Sequence, residues 1–152
     1  MRRKEREIEG REVLEEVLQT AHVCHLAMSD DDQPYVIPLN FGYEDNALYF
    51  HCAQEGKKLD ILSRNNRICF EVDIDHELVK GESACEWGMK GRSVVGIGRA
   101  RLINDAVGKQ QALDIIMKHY GAPEPFSYKG KGFEKALIIK VEIESMTGKR
   151  LA

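Results

Sequence analysis

The chain has 152 residues, 43% of them apolar and 31% charged, with a formal net charge of −3 at pH 7. That length suits one domain, 1–152, able to bury a core of its own. The mildly acidic balance argues against a nucleic-acid binder, which carries a basic surplus, and no window approaches 18 consecutive apolar residues, so no membrane span and a cytoplasmic location are expected.

In chain order, residues 1–10 mix Arg2, Arg3, Lys4 and Arg6 with Glu5 and Glu7 and read as a flexible, solvated N-terminal arm. Val13, Leu14, Val17 and Leu18 then form a helical stripe, suited to capping the fold or to contacting a second subunit. Val23 to Met28 reads as a strand, turned by Ser29-Asp30-Asp31-Asp32. Those aspartates lack the interleaved ligands, glycine and distal glutamate of a calcium loop and read as a solvated turn.

The most informative stretch is Pro34 to Leu59. Tyr35, Ile37, Leu39, Phe41 and Tyr43 alternate with smaller or polar residues, which predicts one strand with a buried face. Glu44-Asp45-Asn46 turns the chain, and Ala47 to Ala53 alternates again, so the expectation is a hairpin between these two runs. Gln54-Glu55-Gly56 then opens a short amphipathic helix that begins with Lys57 and Lys58. A helix N-terminus is already electropositive, so adjacent lysines there either point into water or attend an anion such as phosphate.

Further on, Ile68, Phe70, Val72 and Ile74 alternate in another strand, and Asp75 to Gly91 is irregular, holding the single tryptophan, Trp87. Arg92 to Ile103 reads as a long strand with Val95 and Ile97 on one face and Gly96, Gly98 and Ala100 on the other. Such a small-residue face leaves room for another backbone or a flat ring, or marks a bulge. Asn104-Asp105 caps a helix ending near Gly121, Pro123 to Gly132 reads as a loop, and Leu137 to Ile143 as a half-exposed strand. Cys24, Cys52, Cys69 and Cys85 show neither CxxC nor metal-ligand spacing, and His22 and His25 fall on opposite faces of their strand, so free thiols and no metal are expected. The sum is an α+β, mainly β protein: six antiparallel strands closed into a barrel, with a few short helices. The glycine-rich loops of dehydrogenases and NTPases are missing.

PYVIPLNFGY, LYFHCAQEGKKLDIL and NNRICFEVD, together with WGMKGRSVVGIGRA from Trp87 to Ala100, resemble the pyridoxamine 5'-phosphate oxidase-like FMN-binding split-barrel family, in its nitroimidazole-resistance (Nim)-like branch. The resemblance implies a six-stranded antiparallel split β-barrel, and a homodimer binding FMN at the subunit interface. It places Val36, Ile37, Pro38 and Asn40 along the flavin ring and ribityl chain, with His51 and Cys52 beside them. Lys57 and Lys58 would meet the phosphate, and Trp87 and Ser93 would reach the same flavin from the partner subunit. The family's oxidases carry an arginine-lysine pair where this chain has two lysines; a lysine meets phosphate as a point charge rather than a bidentate fork.

His51 is the candidate catalytic residue, as a proton donor beside the flavin or as a flavin ligand only. The implied function is reduction of small electron-poor compounds such as nitroaromatics, with NAD(P)H or another donor supplying the electrons. The alternatives are a flavin carrier or sensor without turnover, and a heme-binding split barrel. FAD fits as well if the barrel mouth is open beyond the phosphate. Pyridoxine-phosphate oxidation is not expected, because the chain stops at Gly148 to Ala152, near where those oxidases place substrate residues.

Overall fold

The computed structural model describes residues 3–151. After a two-residue strand β1 (Glu7–Ile8) and helix α1 (Arg11–Thr20) come β2 (Cys24–Asp30), β3 (Gln33–Leu39), β4 (Gly42–Glu44) and β5 (Ala47–Cys52). Helix α2 (Lys57–Arg64) leads to the long strands β6 (Arg67–Val79) and β7 (Gly88–Ile103), then α3 (Ala106–His119), α4 (Lys131–Lys135) and β8 (Leu137–Leu151). The strands form one eight-stranded antiparallel sheet in the order β3-β2-β6-β7-β8-β5-β4, with β1 added to β8. A split β-barrel with short helices is therefore the fold. Its six principal strands are those expected, and the short β1 and β4 are additional.

Connectivity forces the sheet to curl. Strands β3 and β4 are at its opposite ends, yet only Asn40 and Phe41 separate them in sequence. Laid flat, the six inter-strand steps would hold those edges about 29 Å apart, whereas Leu39 to Gly42 spans about 11 Å at most. The expected single strand from Tyr35 to Tyr43 is thus divided at this crossing, and its two parts pair differently. Strand β3 forms a hairpin with β2 through Asp31-Asp32, while β4 forms one with β5 through Asp45-Asn46. Asp31, Asp45 and Asn46 all have positive φ, a conformation that Asp and Asn tolerate better than most residues. The expected hairpin between the whole 35–43 run and 47–53 is corrected accordingly.

The crossing removes Phe41 from any ladder, and α3 supplies the missing partner. The Phe41 N–H donates to Tyr120 Oη at 3.1 Å, and the Tyr120 hydroxyl donates to the His22 carbonyl at 2.6 Å. Beside it, His119 Nε2–H donates to the Ala21 carbonyl at 2.8 Å, with its ring 4.5 Å from that of Phe41. Phe41, Phe50 and Phe70 are fully buried and form the core with Leu18, Leu26, Leu48 and Ile139. Helix α1 plugs the barrel with Leu14, Val17 and Leu18. Residues 7 and 8 are not part of a free arm: they pair with Lys149 and Gly148, and Ile8 is buried in the core. Arg2 of that expected arm lies outside the described residues.

On β7 the small residues face inward. A Cβ at Gly96 would collide with the Phe70 ring, and one at Gly98 would lie 2.9 Å from Val141 Cγ1. The flat ring for which the small face leaves room is therefore the protein's own phenylalanine. The bulge alternative also holds, since the β7–β8 register shifts between Ile97 and Gly98. Strands β6 and β7 extend far into the 75–91 segment as a projecting arm, bulged between Ile74 and Glu77. Its residues 75–78 are all exposed, so no inward period marks the strand in sequence.

Gly96→Val is expected to cost about 1–3 kcal/mol, because Phe70 is enclosed and has nowhere to move; a thermal melt unchanged from the parent would refute that packing. Burial holds the His119 imidazole below its ordinary value of 6.5 despite its bond to Ala21. The unfolded chain therefore takes up this proton first, so the stability is present above that value and lost as pH falls through it. Urea unfolding from pH 7.5 down to 5.5 should show a smaller loss of stability in His119→Gln than in the parent.

Candidate functional site

The exit of β5 and the start of α2 form a compact corner. His51 faces outward from β5, while Cys52 turns inward and is 9% exposed. Burial pushes the Cys52 thiol up, and the Lys58 ammonium partly offsets this. The chain then passes Gly56, whose φ of 131° and ψ of 163° lie in a region glycine alone occupies readily. No side chain caps α2. Its first backbone hydrogen bonds start at Leu59 and Asp60, both donating to the Gly56 carbonyl. The N–H groups of Lys57 and Lys58 therefore precede the helical ladder and point out of its positive end. Lys57 Nζ sits 4.8 Å from the centre of the Tyr35 ring, which ties this corner to β3.

Of the residues expected along a flavin, Val36, Pro38 and Asn40 are exposed on or just after β3, while Ile37 packs against the core from the opposite face. Only the backbone of Ile37 is open to a ligand on the outer face. Cross-strand pairing aligns Val36 with Ala27, Cys69 and Ile97, and Pro38 with His25, Glu71 and Val95, on that one outer face. Ser93 lies two residues from Val95 and shares it. Val36, Val95 and Ile97 are 61%, 42% and 41% exposed there, an apolar surface around the His25–Glu71 pair, whose Nδ1 and Oε2 are 3.0 Å apart. Partial burial and the neighbouring Asp73 raise the Glu71 carboxyl, His25 opposing them. Trp87 is half exposed and sits at the base of β7, beside a 3-10 turn at Ala84–Glu86. The start of α2 thus meets β3 and β5, Ser93 lies on the outer face that β3 shares with β7, and Trp87 lies apart on the β6–β7 arm.

One wall of the region has no precedent in the sequence reading. Helix α4 begins at Lys131, at the end of the expected 123–132 loop, and a cleft of about 660 Å³ lies between it and residues 51–55, with Gly132, Lys135 and Ala136 on the helical side. A five-residue helix carries too little periodicity to be legible, and Lys135 is 84 residues from His51 in sequence. Cys24 is buried, its thiol pushed up to about 12 by burial, and Cys85 is exposed. Among the described residues no cluster of metal-ligating side chains occurs and no helix is long and apolar enough to cross a membrane.

The family model for pyridoxamine 5'-phosphate oxidase matches residues 10–150. The chain belongs to that family. A crystal structure of a candidate 5-nitroimidazole antibiotic resistance protein from Bacteroides thetaiotaomicron is 36% identical, with a TM-score of 0.83 over 95% of this chain and 86% of the other. An FAD-binding protein from Mesorhizobium loti is 28% identical, with a TM-score of 0.68 over 95% and 96% of the two chains. At 21% identity, a FAD and heme binding protein from Mycobacterium smegmatis shares the fold, with a TM-score of 0.84 over 95% of this chain and 73% of its own.

The conformation at Gly56 yields a direct test. A Cβ there has open space around it, so any cost of Gly56→Ala is backbone strain alone. The substitution should destabilise the protein by about 1–3 kcal/mol in urea unfolding, whereas an unaltered midpoint would show that the loop relaxes freely.

Proposed function

We propose that the chain binds a flavin at the β5–α2 corner, as FMN, and passes electrons from NAD(P)H to small electron-poor compounds such as nitroaromatics. The uncapped start of α2 carries this reading: two backbone N–H groups, the helix dipole and two lysines meet beside an open glycine turn, which is what a phosphate monoester requires. The fit is chemical as well as geometric, because without an anion two lysines at a positive helix end oppose the dipole. Likeness to the candidate nitroimidazole-resistance protein supports the substrate class, and likeness to the Mesorhizobium protein supports a flavin.

A bound flavin supplies the redox chemistry. The protein's part is to hold the phosphate through Lys57 and Lys58 and to border the ring with Val36, Pro38, Asn40, the Ile37 backbone and Cys52. His51, exposed at the same corner, offers an imidazole as the proton donor to a substrate beside the ring. The apolar outer face bearing Val36, Val95 and Ile97 would be covered in a homodimer, whose second subunit brings Trp87 and Ser93 to the flavin.

An absorption spectrum with FMN, followed by anaerobic NADPH or NADH, tests the whole reading. Flavin bands that bleach support an oxidoreductase, bands that persist point to a carrier or sensor, and a Soret band would replace flavin with heme. Failure to bind FMN or FAD refutes the site. Replacing both Lys57 and Lys58 by Ala should weaken FMN by about 100-fold or more, from the charge-assisted bonds lost, and riboflavin little. Equal losses would remove the phosphate role. Light scattering that reports a monomer still binding FMN would rule out a shared site.

A further inference from the structure

The cleft between residues 51–55 and α4 is built rather than incidental. Its helical wall is fixed from two directions. From α3, Lys109 is only 6% exposed and its ammonium donates to the carbonyls of Phe133 and Glu134, at 3.4 and 3.2 Å, while lying 5.5 Å from the Phe133 ring centre. From the opposite wall, Gln54 Nε2–H donates to the Glu134 carbonyl at 3.3 Å. A buried lysine directed at backbone carbonyls is an expensive anchor, because desolvating its charge is only partly offset. It holds a helix of five residues that has little stability of its own.

That anchoring fixes the position of Lys135, on the cleft wall facing His51. Lys135 takes part in none of the ion pairs formed among the described residues. Four of the other lining residues are apolar or small: Cys52, Ala53, Gly132 and Ala136. The one carboxylate on the lining is Glu55, on the β5 side with His51. A cationic end at α4, an apolar floor and an imidazole opposite match a flat ligand with one negative group.

We infer that this cleft receives a small aromatic carboxylate, whose anion Lys135 holds so that the ring lies over the apolar floor toward His51. The inference rests on the flavin reading of the adjacent corner and narrows its substrate from electron-poor compounds in general to anionic ones. Lys135 is then a positioning residue: it orients the substrate and takes no part in electron or proton transfer.

Calorimetric titration of the FMN-loaded protein with benzoate and with benzamide, its neutral isostere, provides the test. Benzoate should bind about 10-fold more tightly than benzamide, the factor expected from one partly solvated charge-assisted contact. Lys135→Ala should abolish that difference while benzamide and FMN affinities stay unchanged. Lys135→Arg should retain it, and Lys131→Ala, on the same helix but outside the cleft lining, should leave it intact. Equal binding of the two probes to the parent, no binding of benzoate, or release of FMN by benzoate would each overturn the inference. The last result would put the flavin itself in the cleft. If FMN does not bind at all, the flavin reading fails separately, and the benzoate-to-benzamide ratio in the flavin-free parent and Lys135→Ala proteins still decides whether Lys135 holds an anion.

Discussion

The barrel depends on two residues, Asn40 and Phe41, joining strands at opposite edges of one sheet. Every antiparallel ladder between β3 and β4 must bend enough to let this short link close. The link itself has no sheet partner, so its polar backbone needs a donor or acceptor from elsewhere. Tyr120, at the C-terminal end of α3, supplies it, accepting from Phe41 and donating to His22, and so ties that helix to the link and to the segment that enters β2 through one hydroxyl. The Phe41 ring is then driven into the core against Phe50 and His119. Since α3 also contributes the buried Lys109 that anchors α4, the closure of the barrel and the outer wall of the cleft share one helix.

A second constraint comes from Phe70. Its ring fills the space over Gly96, which requires the small face of β7 to point inward and sends Val95 and Ile97 outward. The usual inside-out assignment of strand residues is thereby inverted on the longest strand of the protein. The result is an apolar outer face that includes Val36 and surrounds a histidine–glutamate pair. Core packing and surface character are in this way two consequences of one aromatic side chain.

Much of this was legible in sequence because period-two alternation survives wherever one face is buried, as in Leu48, Phe50 and Cys52 or Ile68, Phe70 and Val72. It failed where that condition fails. The β6–β7 arm is exposed on both faces around residues 75–78, and the last part of β8 has Met146 as its one apolar residue from Glu144 to Lys149, although Ser145 to Leu151 pair with β7. The break at Asn40 was hidden because alternation continues across it, with Phe41 and Tyr43 in phase with Leu39, while the pairing partner changes. For the site, local features were readable: the β5 exit, Gly56 and the paired lysines are contiguous. The cleft was not, since α4 meets residues 51–55 only through tertiary contacts set by Lys109 and Gln54.

Between Cys52 and Lys58 the chain departs from local stability rules three times. A glycine adopts a left-handed φ, a helix starts without a side-chain cap, and two lysines occupy its positive end. A missing cap and an opposed dipole cost roughly 1 kcal/mol and a few tenths to 1 kcal/mol respectively. Within a domain whose net stability is only about 5–15 kcal/mol, such a concentration is not neutral. Uncapped starts after a positive-φ glycine recur at α1 and α4, following Gly10 and Gly130, whereas Asp105 caps α3 by accepting from the Gly108 N–H at 2.8 Å. What sets the start of α2 apart is that two adjacent lysines follow the glycine, with the exposed His51 at the same corner. An anion at the start of α2 would accept from the free N–H groups and offset the opposed dipole, which answers two of the three departures at once.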